Sequence, residues 1–329
     1  MEQLLKLLSD GGFHSGEDVG EQLGVSRAAV WKQLKNLERL GLQIESVRGK
    51  GYRLAPGIEL LDEQQVVQQL KAEVADAVTY HHCLWTTSTN DWVQAVSRSL
   101  PSRGMPICTA EYQTQGRGRR GGVWSNPFGA TVCLSALWRV SHGTASLEGL
   151  SLAVGLAVLK ALEDCGARNL GLKWPNDILW QGRKLCGVLL EVHGDPMGDC
   201  QVVIGIGINV KLSQSQGKAI TRPVTDLETI CSAPVSRNTL VSALINALYA
   251  MLEKFRYQGF KAFIKQWNAV DVFVGKQVTL NVSGNKITGI VRGVSEQGGL
   301  VLETAQGCQV FHGGEVSLSK CEKADANES

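Results

Sequence analysis

The chain has 329 residues and a mass of 35.5 kDa, more than one ordinary domain holds, so two or three folded units are expected. With 43% hydrophobic and 19% charged residues, each unit can build an ordinary core, which excludes disorder for the bulk of the chain. A net charge of +2, from 33 basic and 31 acidic residues, excludes a global field toward nucleic acid or membrane, so any basic patch is local.

The 37 glycines have no period and only 8 prolines accompany them, which excludes collagen and points to tight loops around a ligand. Nine scattered cysteines form no C-x-x-C pair, so zinc-site spacing is absent and free thiols in a reducing compartment are expected. Glu2 stands where a signal peptide carries its basic region, and the longest apolar stretch, Gly149 to Leu159, is far short of the ~20 residues of a membrane span. A soluble, cytoplasmic protein is expected.

Leu4, Leu5, Leu7 and Leu8 form one helical stripe, which Asp10-Gly11-Gly12 stops. Ser15, with Asp18 three residues on, caps a short helix to Leu23. Gly24-Val25 turns the chain, and Ser26 caps a third helix with Val30, Leu34 and Leu37 on one face, ending at Gly41. Helix, glycine-containing turn, helix is the grammar of a helix-turn-helix, here at residues 16–35.

Residues 1–24 carry Lys6 against five acids, a net of −4, whereas residues 25–55 carry seven basic residues against two acids, a net of +5. Arg27, Trp31, Lys32 and Lys35 make the exposed side of the third helix basic. Two short apolar runs, Ile44 to Val47 and Tyr52 to Leu54, flank the turn Arg48-Gly49-Lys50-Gly51, a basic wing. A winged DNA-binding domain over residues 1–60 is expected, with Ser26, Arg27, Trp31, Lys32, Lys35, Arg48 and Lys50 at the DNA. A small helical domain with a solvated basic face is the alternative. Ala55-Pro56-Gly57 reads as a linker.

In the middle of the chain, Asp62 to Asp76 reads as a helix and Tyr80 to Trp85 as a strand. Thr86-Thr87-Ser88-Thr89-Asn90 leads into a helix from Asp91 to about Ser99. Capping accounts for one or two of these five small polar residues, and a polar ligand accounts for the run. After a strand from Ile107 to Tyr112, residues 116–121 match G-x-G-x-x-G, yet no helix opens at these glycines, which argues against a dinucleotide fold. Three arginines among flexible glycines instead read as a mobile cationic loop able to close over a phosphate or acyl phosphate, with a solvated basic loop as the alternative.

Thr131 to Trp138 and Val202 to Val210 read as strands, Leu147 to Leu162 as a buried helix, and Asn238 to Tyr257 as an amphipathic helix. Ile178 to Trp180 and Val188 to Glu191 flank a basic turn carrying Lys184, which either points into a site or lies on the surface. No H-x-x-H, H-E-x-x-H or G-x-S-x-G spacing occurs, so metal and serine hydrolase chemistry lack support. Four short runs between Gln277 and Phe311, separated by hairpin turns, read as a small β-barrel or sandwich, and residues 320–329 as a disordered tail.

Four pieces in one order, GRGRRG at 116–121, KWPND at 173–177, GRKLCG at 182–187 and GIGIN at 205–209, follow the winged helix. With Ser88-Thr89-Asn90 and Glu111-Tyr112-Gln113, they make residues 1–319 resemble the bifunctional biotin protein ligase and biotin operon repressor (BirA) family. The resemblance implies an α+β multidomain fold. Its parts are the winged helix-turn-helix at 1–60, a mixed α/β ligase core of the biotin/lipoate ligase type at 61–270, and an SH3-like β-barrel at 271–319.

It further implies that Ser88, Thr89, Asn90, Gln113, Arg117, Gly118, Arg119 and Lys184 bind biotin, with Lys184 and Arg119 catalytic. Arg120, Trp124, Asn176, Gly187 and Asn209 would form the nucleotide side, and Asp177 would hold Mg²⁺. The implied chemistry uses ATP and biotin, passes through biotinyl-5′-AMP and ends on a lysine of the biotin carboxyl carrier protein of acetyl-CoA carboxylase. The implied regulation is a homodimer, promoted by biotinyl-5′-AMP, on operator DNA of the biotin operon. Two departures stand out: Gly122 replaces an arginine frequent in the family, and Lys211 to Val224 has no aromatic residue to close over adenine. A biotin- or adenylate-sensing transcription factor without ligase activity and a lipoate-type acyl ligase are the competing readings.

Overall fold

The computed structural model describes residues 1–39, 41–42, 44–54, 58–98, 104–141 and 143–319, and of Glu2 only the backbone. The linker 55–57 and the tail 320–329 lie outside the described residues.

The first unit packs α1 (Glu2–Leu8), α2 (Gly16–Leu23) and α3 (Arg27–Arg39) against the hairpin β1 (Ile44–Val47) and β2 (Gly51–Leu54). Its caps are the ones the sequence signals. Ser15 Oγ accepts from Asp18 N at 3.0 Å and Ser26 Oγ from Ala29 N at 3.3 Å. Gly24 ends α2 in the left-handed region at φ 64°. Gly20 must be small, because a Cβ there would sit 2.8 Å from Val25 O, where the turn folds back on α2. The leucine stripe becomes the core, with Leu4, Leu5, Leu8, Val19, Val30, Leu34, Leu37, Leu42 and Leu54 buried. Phe128 of the central unit is part of this same cluster, and Ile58, Leu60, Leu84 and Tyr112 pack on it.

The central unit begins with α4 (Glu63–Gln68) and α5 (Ala72–Ala75), then β3 (Val78–Thr86), α6 (Thr89–Val96), β4 (Met105–Gln113) and β5 (Thr131–Val140). Next come α7 (Leu150–Asp164), β6 (Leu170–Lys173), β7 (Asp177–Trp180), β8 (Arg183–Gly194) and β9 (Cys200–Asn209). The unit closes with α8 (Gln214–Ala219), α9 (Leu227–Cys231), α10 (Arg237–Gln258) and α11 (Ile264–Val270). Its strands form one seven-stranded sheet in the order β3-β4-β5-β9-β8-β7-β6. Among the described residues only the β3–β4 pair of this sheet is parallel.

One face of the sheet carries α6 through Val93, Cys108, Leu137 and Val203, and the other carries the large core under α7 and α10. By length and composition the Thr144–Asp164 stretch could cross a membrane, but ten of the fifteen α7 residues are buried inside this core. It is a core helix. The single helix read over Asp62 to Asp76 is two short ones, because Asn246 of α10 takes the Lys71 amide at 3.0 Å and interrupts it.

The chain enters the central unit through a buried polar strap. Glu111 is fully buried on β4, accepts from Leu61 N at 2.7 Å and pairs with Arg237 at 2.7 Å. Arg237 also donates to Glu59 O, and Asn238 to Leu60 O. A buried carboxylate in an otherwise apolar strand needs such a cation.

The C-terminal unit is a five-stranded antiparallel sheet: β10 (Gln277–Val282), β11 (Asn285–Val294), β12 (Leu300–Thr304), β13 (Gly307–Phe311) and β14 (Glu315–Leu318). Its order is β13-β12-β11-β10-β14, and the edges β13 and β14 do not pair with each other, so the sheet stays open. Trp174 Nε1 donates to Gly298 O at 3.0 Å and ties this unit to the central one.

Candidate active site and DNA-facing surface

The functional side chains gather where α6 begins, β4 ends, and β8 and β9 run side by side. A narrow slot there is lined by Ser88, Thr89, Asn90, Gln113, Trp124 and Lys184, among others. Ser88 holds the N-cap position of α6, is buried, and does not spend its hydroxyl on capping. Gln113 Oε1 accepts from Thr89 N at 2.8 Å and from Thr89 Oγ1 at 3.2 Å. Ser135 Oγ lies 2.6 Å from Thr89 Oγ1 and 2.5 Å from Asn90 Oδ1, and Asn90 Nδ2 donates to Glu191 at 2.6 Å. The result is a fixed polar edge beside the apolar Leu134, Val188, Leu189 and Ile206, the usual build of a small-molecule site.

Two glycines of β9 form its floor. A Cβ on Gly205 would come within 2.6 Å of Asn90 Oδ1, and one on Gly207 within 2.4 Å of the Trp124 indole. The G-x-G alternation therefore serves close approach of side chains from other elements.

The arginine-rich segment is a hairpin. Trp124 N donates to Gly116 O at 3.0 Å, Arg117 bridges Val123, and Gly118 N donates to Gly122 O at 2.7 Å. At its crown Arg120 takes a left-handed φ of 53° and is exposed, lining neither the slot nor the neighbouring cleft. Arg117, although it lines the slot, spends its guanidinium on Asp91 and Glu191. Arg119 faces inward and donates to Asn176 Oδ1 at 3.2 Å. Burial, and then the charge of Arg120, hold its guanidinium below the usual arginine value.

The slot opens into a larger cleft of about 870 Å³, and Arg119, Trp124, Asn176 and Lys184 line both. Lys184 Nζ lies 2.7 Å from Asp177 and 5.7 Å from the Trp124 ring centre. A Cβ on Gly187 would sit 2.9 Å from that ammonium, so glycine there leaves it room. Asn209 is buried and donates to Thr225 O at 3.0 Å, while Lys184 N donates to Pro223 O at 2.9 Å. These bonds tie the segment after α8 to the floor of the cleft.

Across the cleft stand Lys173, Arg222 and Lys286, the last from the C-terminal unit. Burial first, and then the charges of Lys184 and Arg222, push the Lys173 pKa down. Asp177 and Glu315 are the carboxylates of the cleft. Cations gathered closely enough to depress the Lys173 pKa mark a place for a polyanion.

The residues present do not fit a protein-held magnesium site. Asp177 neutralises Lys184, and among the described residues no group of three or more His, Cys, Asp or Glu side chains is placed to hold a metal.

On the first unit Ser26, Arg27, Trp31, Lys32 and Lys35 are exposed along α3, and Arg48 and Lys50 are exposed on the wing. Lys35 lies 5.8 Å from the Trp31 ring centre and pairs with Glu38. All seven expected contacts are exposed on this one unit. The residues not foreseen are Asp91, Ser135 and Glu191, bonded to slot residues, and Lys173, Arg222 and Lys286 at the cleft. Ser135 carried a signal, being a polar residue in the buried run of β5.

A narrow, polar-edged slot feeding a polycationic cleft, behind a winged helix-turn-helix, defines a ligand-activating enzyme with a DNA-reading arm. The chain matches the model of the biotin/lipoate A/B protein ligase family over residues 82–209, an HTH domain over 1–53 and the biotin protein ligase C-terminal domain over 273–319. It is 38% identical to the bifunctional ligase/repressor BirA of Escherichia coli, over 98% of each chain, and 28% identical to that of Bacillus subtilis, over 96% of this chain and 98% of that one. The biotin protein ligase of Aquifex aeolicus, solved with biotin and ATP, superposes with a TM-score of 0.61 at 28% identity, covering 73% of this chain and 97% of the other. The chain belongs to the biotin protein ligase family, in its bifunctional ligase/repressor branch.

Proposed function

We propose that this chain carries out both activities of that branch: ATP-dependent attachment of biotin to a protein lysine, and transcriptional repression through the winged unit. The observation that carries the reading is the shared wall of slot and cleft, where Lys184 and Arg119 stand between a place for a carboxylate and a place for a triphosphate.

Biotin lies in the slot with its polar ring edge on Ser88, Thr89, Asn90 and Gln113 and its carboxylate toward Lys184. ATP lies in the cleft, its polyphosphate facing Lys173, Arg222 and Lys286. Magnesium is the ordinary partner of a triphosphate and enters with it. A carboxylate oxygen attacks the α-phosphorus, the bond to the leaving pyrophosphate breaks, and biotinyl-5′-AMP forms. Such a step demands positioning and charge stabilisation more than covalent help, which Lys184 and Arg119 supply.

In the second step the neutral amine of an acceptor lysine attacks the acyl carbon, the acyl–phosphate bond breaks and AMP leaves. Closing the crown of the arginine hairpin shields the adenylate from water in between. The acceptor is the biotin carboxyl carrier protein of acetyl-CoA carboxylase. Biotinyl-5′-AMP doubles as corepressor, favouring a homodimer on the operator of the biotin operon in the cytoplasm.

The test is incubation with ATP, Mg²⁺ and biotin, followed by mass spectrometry of the small molecule retained by the protein. Biotinyl-5′-AMP is expected. Its absence, together with brisk ATP–pyrophosphate exchange on lipoic or octanoic acid, would replace biotin with another acyl group. No exchange with any acid would leave a sensing repressor.

The strap gives a second test. Deleting residues 1–57 is expected to leave adenylate formation and to abolish DNA binding. Deleting residues 1–60 also strips Glu59 and Leu60 from Arg237 and Asn238. Arg237 keeps Glu111 and Thr131 O, but Asn238 Nδ2 loses both its acceptors. A buried donor left unpaired costs about 1–3 kcal/mol, so the shorter product should melt lower in a thermal scan. Equal melting of the two products would show that the strap does not stabilise the core.

A further inference from the structure

We infer that Asp91 and Glu191 are positioning residues that latch Arg117, holding the root of the arginine hairpin and Asn90 ready for ligand before ligand arrives. Arg117 Nη1 and Nη2 meet Asp91 Oδ2 and Oδ1 at 3.0 and 2.7 Å, a two-point fork. Its Nε and Nη2 meet Glu191 Oε1 and Oε2, each at 3.1 Å. Hydrogen bonds donated to Asp91 and then to Glu191 raise the arginine's already high pKa further. Both edges of the guanidinium are thus spent on carboxylates. One cation between two anions leaves the cluster at a net of −1, so a ligand carboxylate is repelled from it and directed to Lys184.

The three partners come from different elements, and this makes the cluster a latch. Asp91 belongs to the first turn of α6, Glu191 to β8, and Arg117 to the hairpin root, where its backbone bridges Val123. The same Glu191 oxygen that meets Nη2 accepts from Asn90 Nδ2 at 2.6 Å. Asn90 Oδ1 in turn lies 2.5 Å from Ser135 Oγ. Breaking the latch frees the hairpin root and the Asn90 amide together. The crown is outside it: Arg120 is exposed and Val123 is 85% exposed. Ligand closure therefore falls to residues 119–122, on a root already set.

Side-chain exposures of 36% for Arg117, 43% for Asp91 and 27% for Glu191 mean that solvent screens the cluster. Its effect is local order and not global stability. The experiment accordingly reads the hairpin itself. Trypsin cleaves after arginine, so limited digestion of the full chain without ligand reports opening at Arg117, Arg119 and Arg120.

Asp91→Asn, which keeps the shape and removes the charge, is expected to speed hairpin cleavage roughly 5–10-fold, with Glu191→Gln acting in the same direction. Asp91→Glu is expected to restore slow cleavage. In adenylate formation, the KM for biotin should rise roughly 5–10-fold in Asp91→Asn while kcat at saturating biotin stays within about threefold. Unchanged cleavage in both charge-removing variants overturns the latch. So does a fall in kcat with an unchanged KM, which would place Arg117 among the reacting groups. The digestion arm needs no ligand, so it decides the latch even if the chain proves not to bind biotin, an outcome that would instead overturn the functional reading on which the kinetic arm rests.

Discussion

Replacing Lys184 by alanine is expected to lower the rate of adenylate formation by ~10²–10³, the usual loss when one preorganised donor to a developing charge is removed. Lys184 is the side chain in question because it lines both slot and cleft and no side chain can grow from Gly187 beneath it. The substitution also leaves the Asp177 carboxylate, 13% exposed, without its ammonium. An uncompensated carboxylate could itself repel ATP and mimic a catalytic loss. Lys184→Ala combined with Asp177→Ala separates the two causes. If the ammonium acts on the α-phosphate, the double variant stays as slow as the single one in ATP–pyrophosphate exchange. If the harm comes from the orphaned carboxylate, the double variant recovers. A single variant within a few-fold of the unsubstituted chain would remove Lys184 from the chemistry.

What was legible in the sequence follows from where each signal is stored. The winged unit reads well because its information is local: Ser15, Gly24 and Ser26 are capping residues whose roles depend on neighbours three or four positions away. The slot is half legible. Ser88, Thr89, Asn90 and Gln113 stand at a strand-to-helix turn and a strand end, where polar runs are conspicuous. Asp91 and Glu191 look like ordinary surface acids on α6 and β8. Their meaning comes only from contacts with Arg117, across 26 residues for Asp91 and 74 for Glu191.

The hairpin shows the same limit from the other side. Glycine and arginine in alternation suggested a mobile loop, yet pairing of Gly116 with Trp124 and Gly118 with Gly122 gives it a closed base. Of the sheet order only the β7–β8 hairpin was legible, since β9 enters between β5 and β8, and nothing in either strand's composition names its neighbour. Strand β14 escaped notice because Glu315–Leu318 has one buried side chain, too short an alternation to stand out. Lys286 and Arg222 were invisible as ligands for a related reason: each faces the cleft only because α8 and the C-terminal sheet fold over it.

Biotin with ATP is expected to raise the affinity for operator DNA by up to ~10²–10⁴-fold over the ligand-free chain, through dimerisation. A single winged unit with a net of +5 across residues 25–55 neutralises few phosphates, so alone it binds weakly at physiological salt. Two units joined in a dimer make the second contact intramolecular, and the gain comes without any new contact to DNA. The ligand must therefore act on the association of the two copies. Here the geometry offers a route, because the hairpin leads in chain order into Phe128, and Phe128 sits in the core of the winged unit with Leu54 and Leu34. Ordering the crown over the adenylate is therefore expected to bear on both the surface beside the slot and the seat of the winged unit. Linkage then requires operator DNA to tighten adenylate binding by the same factor that the adenylate tightens DNA. Acceptor protein in excess is expected to consume the adenylate, return the chain to monomer and relieve repression. Sedimentation with and without biotinyl-5′-AMP, paired with DNA titrations at two salt concentrations, measures each leg. A shared association state and equal DNA affinity in the two conditions would break the coupling even with both separate activities intact.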